Sequence, residues 1–204
     1  MTILGDGSER KQLERAMRDA GRLPPGQSAT LKWPVLHEGP VPGFDPRTWD
    51  FRITGLVERP VRLTWDEFTR LPMTEVVADM HCVTRWSRFD VRWEGVLFSE
   101  VMKQAPVKPT AKYVMVHAEN DYTANVPLAD LLRPMTLFAL KHNGEPLPAE
   151  HGYPVRLVVP HLYAWKSVKW VRGLRFMEQD SAGFWEQNGY HIYGDPFKEK
   201  RYSG

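Results

Sequence analysis

The sequence predicts an α+β fold, in which short helices accompany mixed β-sheets, and two observations support this prediction. The 204 residues include eight Trp and seventeen Pro, a composition typical of a loop-rich, β-containing domain rather than of a helix bundle. Most periodic segments are short, and several alternate apolar with polar residues as half-buried strands do. A chain of this length can enclose a substantial core, so we expect one domain with elaborations.

The charge balance excludes several classes of partner. Lys and Arg number 27 and Asp and Glu number 25, which leaves a net charge of +2. This charge is too small for a nucleic-acid-binding surface or a polybasic membrane anchor. Residues 1–20 carry charges throughout and lack the apolar stretch of an export signal, and no run of about 18 apolar residues occurs. The sequence therefore predicts a cytoplasmic protein with no membrane span and no nucleic-acid partner.

Residues 1–30 are predicted to form an N-terminal helix and an extended arm. Residues 8–20 have helical periodicity with Ser8 as the N-cap, and Gly21 and the following prolines end the helix. Residues 33–44 are rich in proline, which favours an extended strip across the domain. Residues 31–204 are predicted to form the main domain.

The main domain is predicted to alternate strands with short helices. Thr64 and Glu67 have the spacing of a capping box, which predicts a helix that continues to Leu71 and stops at Pro72. Residues 166–171 alternate polar with apolar side chains, and the aromatic segment 183–196 is expected to fold back over the body. The other predicted strands are residues 49–57, 76–80, 91–96, 112–118, 136–141, 154–160 and 174–177, and the other predicted helices are residues 99–104 and 127–132.

Cys82 is the only cysteine in the chain, so the fold has no internal disulfide. A lone cysteine is either a small buried hydrophobic residue or a thiolate kept for reactivity or metal binding. Cys82 follows a predicted buried strand at the start of a polar segment, where scaffolds often place chemistry. A Cys/His hydrolase is one alternative. If the strand continues, His81 and Cys82 point to opposite faces, so a more distant histidine would be needed.

A cluster of basic and hydroxyl side chains suggests a second ligand-binding element. Arg156, Lys166, Ser167 and Lys169 lie in one predicted strand-loop-strand unit, and His151 lies just before it. Such donors suit a phosphate group, although ordinary surface charges would give the same pattern. Together with Cys82 they suggest a phosphorylated cofactor bound near a cysteine ligand.

Three stretches resemble the molybdopterin domain of the sulfite oxidase family. The resemblance is strongest to the compact branch that includes the catalytic subunit of bacterial methionine sulfoxide reductases. Residues 82–87, Cys-Val-Thr-Arg-Trp-Ser, are similar to the Cys-Val-x-x-Trp-Ser of that branch. Residues 143–156 and 167–169 are similar to the pterin-phosphate segment of the family. Residues 185–190, Trp-Glu-Gln-Asn-Gly-Tyr, are similar to a segment whose tyrosine stands over the metal.

The resemblance implies the sulfite oxidase molybdopterin-domain fold and a molybdenum–molybdopterin cofactor. It implies that the Cys82 thiolate binds the metal and that Tyr190 lies above it. Arg85 is predicted to orient an oxygen-rich substrate, and Lys166 is predicted to contact the cofactor from the basic segment. The cofactor-binding residues implied by the resemblance are His37, Tyr122, His151, Arg156, Ser167 and Lys169.

The sequence departs from the sulfite oxidases at two places. Residues 36–39 are Leu-His-Glu-Gly where those enzymes have Arg-Asn-His, so an arginine that contacts sulfite is missing. Residues 86–88 are Trp-Ser-Arg where those enzymes have paired arginines. No C-terminal immunoglobulin-like domain is expected within the 204 residues.

The resemblance therefore implies a molybdopterin-dependent oxidoreductase that catalyses oxygen-atom transfer. The missing arginines favour reduction of an S- or N-oxide over oxidation of sulfite. The expected partners are a small-molecule oxo substrate and an electron donor or acceptor protein of unknown identity. Two alternatives stay open, namely sulfite oxidase-type oxidation and a non-catalytic molybdopterin-binding protein.

Overall fold

The computed structural model describes the backbone of residues 4–204 and the side chains from residue 7 onward. Two β-sheets and several short helices form the described part of the chain. The strands are β1 (Ser28–Ala29), β2 (Asp50–Gly55), β3 (Val61–Thr64), β4 (Met73–His81), β5 (Trp86–Leu97), β6 (Tyr113–Ala118), β7 (Thr123–Pro127), β8 (Leu137–His142), β9 (Glu145–Pro146), β10 (Arg156–Val158) and β11 (Val171–Met177). The α-helices are α1 (Leu4–Asp19), α2 (Trp65–Thr69), α3 (Phe98–Met102), α4 (Leu128–Leu131) and α5 (Phe184–Gln187).

The first sheet is built around the long strand β5. One edge of β5 pairs with β4 in antiparallel orientation, and its other edge is shared between β1 and β8. Strand β8 pairs in turn with β9 and β10. Because β1 is parallel to the start of β5, with Ser28 opposite Trp86, the N-terminal arm is part of the sheet beside Cys82.

The second sheet has the order β3-β2-β11-β6-β7. Its central pair, β2 and β11, is parallel, and the other pairs are antiparallel. Parallel neighbours need a long crossover connection, and here every strand of the first sheet except β1 lies between β2 and β11 in the sequence. The mixed pairing agrees with the predicted fold class.

The main core lies where the two sheets face each other. Phe51 of β2, Phe138 of β8 and Leu174 of β11 are fully or almost fully buried in one apolar cluster. Phe51 and Phe138 pack edge to face, with ring centroids 5.1 Å apart. Truncating such a buried phenylalanine to alanine lowers the free energy of unfolding by about 3–5 kcal/mol. This contact therefore contributes strongly to the packing of the two sheets.

Most predicted elements are present, and the local signals explain why. The capping box is confirmed, because Thr64 N–H donates to Glu67 Oε2 at 2.8 Å and Glu67 N–H donates to Thr64 Oγ1 at 3.3 Å. The predicted alternation in β2 is also confirmed, since Phe51 and Ile53 are buried and Arg52 is exposed. The segment 183–196 folds back over the body through α5.

Several predictions were wrong. Helix α1 begins at Leu4, so Ser8 lies inside the helix and is not its N-cap. Residues 166–170 form turns and bends rather than a strand, because the backbone N–H groups of Lys166 and Ser167 donate within local turns, to Tyr163 O and Ala164 O. Strand β7 was missed, and the predicted strand 154–160 is shorter, with ladder pairing only at Arg156–Val158.

The predicted boundary between an N-terminal arm and the main domain at residue 30/31 stays a prediction, and residues 1–3 lie outside the described residues. Helix α1 is joined to the arm by the Glu14 carboxylate, which accepts a hydrogen bond from Ala29 N–H at 3.0 Å. None of the described helices is long and apolar enough to cross a membrane.

Candidate active site

Cys82 lies at the first position after β4, in a tight turn that leads into β5. We call residues 82–85 the Cys82 loop. Cys82 N–H donates to Trp86 O at 2.9 Å, and Arg85 N–H donates back to Cys82 O at 3.1 Å. Arg85 has a φ of 72°, a left-handed conformation that closes the turn at some cost for a residue other than glycine. The turn directs Cys82 toward the interior, where its side chain is 9% exposed.

The Cys82 side chain opens into a cavity of about 300 Å³. All the predicted site residues line this cavity except Arg85 and Lys166. The residues that it brings together are His37, Cys82, Tyr122, His151, Arg156, Ser167, Lys169 and Tyr190. Five different segments of the chain therefore meet at one site.

Aromatic side chains form the wall of the cavity next to Cys82. Trp165 packs edge to face with Tyr190, with ring centroids 5.0 Å apart, and Trp185 stacks on Tyr190 at 4.8 Å. Tyr163 stacks on Trp165 at 5.3 Å and belongs to the same buried cluster as Cys82. Burial raises the pKa of the Tyr190 hydroxyl, so this group keeps its proton at neutral pH.

Arg156 supplies a buried positive charge to the cavity. Its Nη1 donates to His151 O at 3.0 Å, whereas its buried Nε has no hydrogen-bond partner. Burial lowers the pKa of Arg156 to about 10. Among the described residues no carboxylate lies within ion-pairing distance of this guanidinium, so its charge is free to bind an anion.

Lys169 brings a second cation to the same cavity. Its Nζ donates to Leu36 O at 2.8 Å and to Glu150 O at 2.7 Å. Burial, followed by repulsion from Arg156, lowers the pKa of Lys169 to about 7. An anion bound between Lys169 and Arg156 would reverse this effect, because an opposite charge favours the protonated form.

The neutral polar groups of the site are held in fixed orientations. His151 stacks on Trp33 with ring centroids 3.7 Å apart, and its buried Nδ1 has no partner. Burial lowers the pKa of His151 to about 4. Ser167 Oγ accepts a hydrogen bond from Val159 N–H at 2.9 Å, which leaves its own proton for a ligand. Tyr122 donates to Trp165 O at 2.9 Å.

His37 belongs to the proline-rich strip that covers one side of the cavity. Its Nδ1 lies 2.9 Å from Gly39 O, and its ring packs edge to face on Trp170. The His37 ring therefore lies at the edge of the cavity, and its Nδ1 is already hydrogen-bonded within the proline-rich strip.

Arg85 and Lys166 lie outside the cavity lining. The Arg85 guanidinium is packed beside Gly26 of the arm, where an added Cβ would lie 3.0 Å from Arg85 Nη1. Lys166 is fully buried behind the wall, where its Nζ lies 2.6 Å from Glu186 Oε1 and donates to Asn125 O at 2.7 Å. Its charge is thus already neutralised, and its contacts tie Glu186 of α5 to β7.

Sequence reasoning missed two residues beside the predicted cofactor contacts. Trp33 lines the cavity, and the Arg88 guanidinium lies 5.1 Å from the Trp33 ring centroid. Arg88 Nη1 is buried without a partner, and burial lowers the pKa of Arg88. Arg88 lies opposite Met80 on β4, and because directly paired residues share a face and Met80 lines the cavity, this pairing brings Arg88 beside the site; no local sequence pattern gives it.

The residues present fit an anionic group. Buried nitrogens of Arg88, His151 and Arg156 have no hydrogen-bond partner within the described part of the chain, and leaving such polar groups unsatisfied costs about 1–3 kcal/mol each. A phosphate-bearing ligand supplies several acceptors and offsets the positive charge at once. The aromatic wall and the Cys82 thiol complete a site for a metal-bearing cofactor of this kind.

Comparisons with known proteins agree with this assignment. The family model described as "Oxidoreductase molybdopterin binding domain" matches residues 38–185. The uncharacterized oxidoreductase YuiH of Bacillus subtilis is 46% identical over 190 residues, which cover 93% of this chain and 96% of that protein.

Two further relatives are named for methionine sulfoxide reduction. The putative protein-methionine-sulfoxide reductase subunit YedZ1 of Azospira oryzae is 31% identical over 150 residues, covering 74% of this chain and 57% of that protein. The protein-methionine-sulfoxide reductase catalytic subunit MsrP of Gluconobacter oxydans is 31% identical over 169 residues, which cover 74% of this chain and 54% of that protein. The chain thus spans somewhat more than half the length of these two relatives.

The sulfane dehydrogenase SoxCD from Paracoccus pantotrophus has a similar fold. It superimposes with a TM-score of 0.62 and 26% sequence identity, covering 68% of this chain and 40% of that one. The predicted family, fold class and enzyme class are confirmed by these matches. The chain belongs to the molybdopterin-binding oxidoreductases of the sulfite oxidase family.

Proposed function

We propose that this oxidoreductase binds a molybdenum–molybdopterin cofactor and reduces a neutral S- or N-oxide. The observation that carries the proposal is the position of the Cys82 thiol in one cavity with Arg156 and Lys169, two cations without a carboxylate partner among the described residues. A thiolate is a soft ligand suited to molybdenum, and the cations suit a phosphate. The names of YedZ1 and MsrP, which specify methionine sulfoxide reduction, support the choice of an S-oxide.

Each residue of the site has a distinct part in this proposal. Cys82 is the protein ligand to the metal, and Arg156, Lys169, Ser167 and His151 hold the phosphate end of the cofactor, with Arg88 close by. Tyr122 keeps the Trp165 segment in place through its hydrogen bond to the backbone. His37 covers the rim.

The bound cofactor supplies a two-electron change at molybdenum that is coupled to transfer of one oxygen atom. Reduction of a sulfoxide consumes two electrons and two protons, and it yields a thioether and water. Tyr190 is protonated at neutral pH and lies on the aromatic wall beside Cys82. We therefore assign Tyr190 to donate a hydrogen bond to the substrate oxygen. The electrons come from a partner protein whose identity is open.

A neutral substrate is favoured over sulfite by the side chains next to Cys82. The wall there consists of Trp165, Trp185 and Tyr190, which offer apolar faces and one hydroxyl. Arg85, the residue predicted to bind an oxygen-rich substrate, does not line the cavity. An anion such as sulfite needs a cationic partner when it leaves water. In this proposal Arg156 and Lys169 are taken up by the phosphate of the cofactor, and the aromatic wall supplies no further cation.

Metal analysis tests the proposal most directly. The full chain is produced in a host that makes molybdopterin, and molybdenum is measured in wild type and in Cys82→Ser. We expect close to one molybdenum per chain in wild type and a large loss in the variant. Retention of molybdenum by Cys82→Ser at the wild-type level would overturn the assignment of the ligand.

Turnover tests the reaction itself. With a reduced viologen dye as an artificial electron donor, we expect the loaded wild type to reduce methyl sulfoxides, and we expect Tyr190→Phe to lower kcat roughly a hundredfold. Loaded protein that oxidises sulfite but leaves sulfoxides unchanged would contradict the proposed substrate. The alternative of a thiol-dependent hydrolase predicts rapid alkylation of Cys82 by iodoacetamide in the loaded protein, whereas a metal-bound sulfur is protected.

A further inference from the structure

The N-terminal arm reaches the Cys82 loop through a buried glutamine. Gln27 Nε2 donates to Cys82 O at 2.9 Å, and Ser87 Oγ lies 3.5 Å from Gln27 Oε1. The next residue of the arm, Ser28, donates from its backbone N–H to Arg85 O at 3.0 Å. The arm therefore contacts the loop at both of its ends.

The C-terminal tail reaches the same loop through a buried arginine. Arg201 Nη1 donates to Val83 O at 2.9 Å, and its Nη2 donates to Pro25 O at 3.2 Å. The guanidinium also lies 5.0 Å from the ring centroid of Tyr163, the aromatic residue stacked on Trp165. One side chain thus joins the tail, the loop, the arm and the aromatic wall.

Arg201 and Gln27 share three properties. Both are almost completely buried, both donate to backbone carbonyls of the Cys82 loop, and neither lines the cavity. Both also lie outside residues 38–185, the part that matches the family model. Buried donors with such partners fix backbone position, because a shift of the loop would leave the buried Gln27 amide or Arg201 guanidinium without its acceptor, which costs about 1–3 kcal/mol.

We propose that Gln27 and Arg201 are positioning residues, which hold the backbone of the Cys82 loop so that the Cys82 sulfur faces the cavity before the cofactor binds. The inference rests on the proposed role of Cys82 as a metal ligand. A side chain held in its productive geometry binds a metal more tightly than one that must be ordered first.

Alkylation of the metal-free full chain tests the inference without any turnover. Cys82 is the only thiol, so incorporation of iodoacetamide reports on this loop alone. The variants are Gln27→Leu and Arg201→Met, which remove the donors and keep similar volumes. Arg172→Met is the matched control, because Arg172 bridges Asp50 and Glu119 in the second sheet and does not contact the loop. Rates are compared at equal distances below each protein's Tm.

We expect the alkylation rate of Cys82 to rise at least tenfold in Gln27→Leu and in Arg201→Met, and to stay within twofold of wild type in Arg172→Met. Arg201→Lys, which keeps the positive charge but has a single donating nitrogen in place of two, should give an intermediate rate. Equal rates in all the variants after correction for Tm would overturn the inference, because they would mean that the two residues contribute only general stability.

Measuring how fast molybdenum is lost distinguishes a failure of this inference from a failure of the proposed function. Loaded proteins are incubated with a chelator, and molybdenum loss is followed over time. We expect loss to be at least tenfold faster in Gln27→Leu and Arg201→Met than in Arg172→Met. If Cys82→Ser loses no metal, the proposed ligand is wrong, whereas the alkylation rates still decide whether Gln27 and Arg201 hold the loop.

Discussion

Lys166 Nζ lies 2.6 Å from Glu186 Oε1, and neither side chain reaches solvent. The same carboxylate oxygen accepts a hydrogen bond from Trp165 Nε1 at 2.7 Å. This buried ion pair therefore stands behind the aromatic wall of the cavity and joins Trp165 to α5, the helix that carries Trp185.

Breaking this pair from one side should destabilise the protein strongly. Lys166→Met leaves Glu186 charged and buried without its partner, and we expect the free energy of unfolding to fall by about 3–5 kcal/mol. The double variant Lys166→Met/Glu186→Leu should recover part of this loss, because it removes both charges. Urea unfolding of the single and double variants measures the coupling, and strictly additive effects would contradict the pairing.

Arg85 should be dispensable for turnover. Its guanidinium lies outside the cavity lining, and its φ of 72° suits glycine better than arginine. We expect Arg85→Gly to leave KM for a methyl sulfoxide within twofold of wild type and to change the free energy of unfolding by less than about 1 kcal/mol. Steady-state kinetics with the viologen assay check this. A KM raised tenfold or more would restore Arg85 as a substrate contact.

Arg88 should lower the free energy of unfolding of the metal-free chain and should help the loaded protein to retain its cofactor. Its Nη1 is buried without a partner, so we expect Arg88→Met to raise the free energy of unfolding of the metal-free chain by about 1 kcal/mol. In the loaded protein we expect the same variant to retain several times less molybdenum after gel filtration.

Arg92→Met is the control for Arg88, because Arg92 lies on the same strand but is exposed and faces Glu75 at 3.8 Å. We expect little effect on either measurement from this change. A loss of stability in metal-free Arg88→Met would mean that the packing of Arg88 on Trp33 outweighs the cost of its unpaired donor.

The free energy of unfolding of the metal-free protein should fall in weak acid. Burial lowers the pKa of both His142 and His151 to about 4, below the value of about 6.5 expected in the unfolded chain. The unfolded state therefore binds protons first, and the stability present above pH ~6.5 is lost as the pH falls toward 4. Urea unfolding between pH 7 and pH 4.5 measures this, and His151→Gln should reduce the slope.

The chemistry of the site could be predicted from the sequence where the signal is a residue type at a fixed spacing. The lone Cys82 at a strand end, with Arg156 and Lys169 downstream, suggested a thiol near basic side chains, and the structure brings these three residues into one cavity. The capping box at Thr64 was equally readable, because its two hydrogen bonds involve residues only three positions apart.

Little could be predicted from the sequence where a residue's surroundings depend on contacts between segments far apart in the chain. Lys166 and Lys169 look alike in sequence, yet Lys166 is paired with Glu186 behind the wall and Lys169 faces the cavity. Their different surroundings depend on how α5 and the proline-rich strip fold back, which no local pattern encodes. Trp33 and Arg88 meet for the same reason, through packing between segments distant in the sequence.

The pairing of Arg201 with Val83 spans 118 positions in the chain. During synthesis the ribosome releases β4 and the Cys82 loop long before residue 201 is made, so the loop spends that interval without one of its holding contacts. The loop therefore gains its full set of contacts only after residue 201 has been made. If the proposed cofactor needs the loop in its finished geometry, it binds after Arg201 has reached Val83 rather than when the loop first emerges.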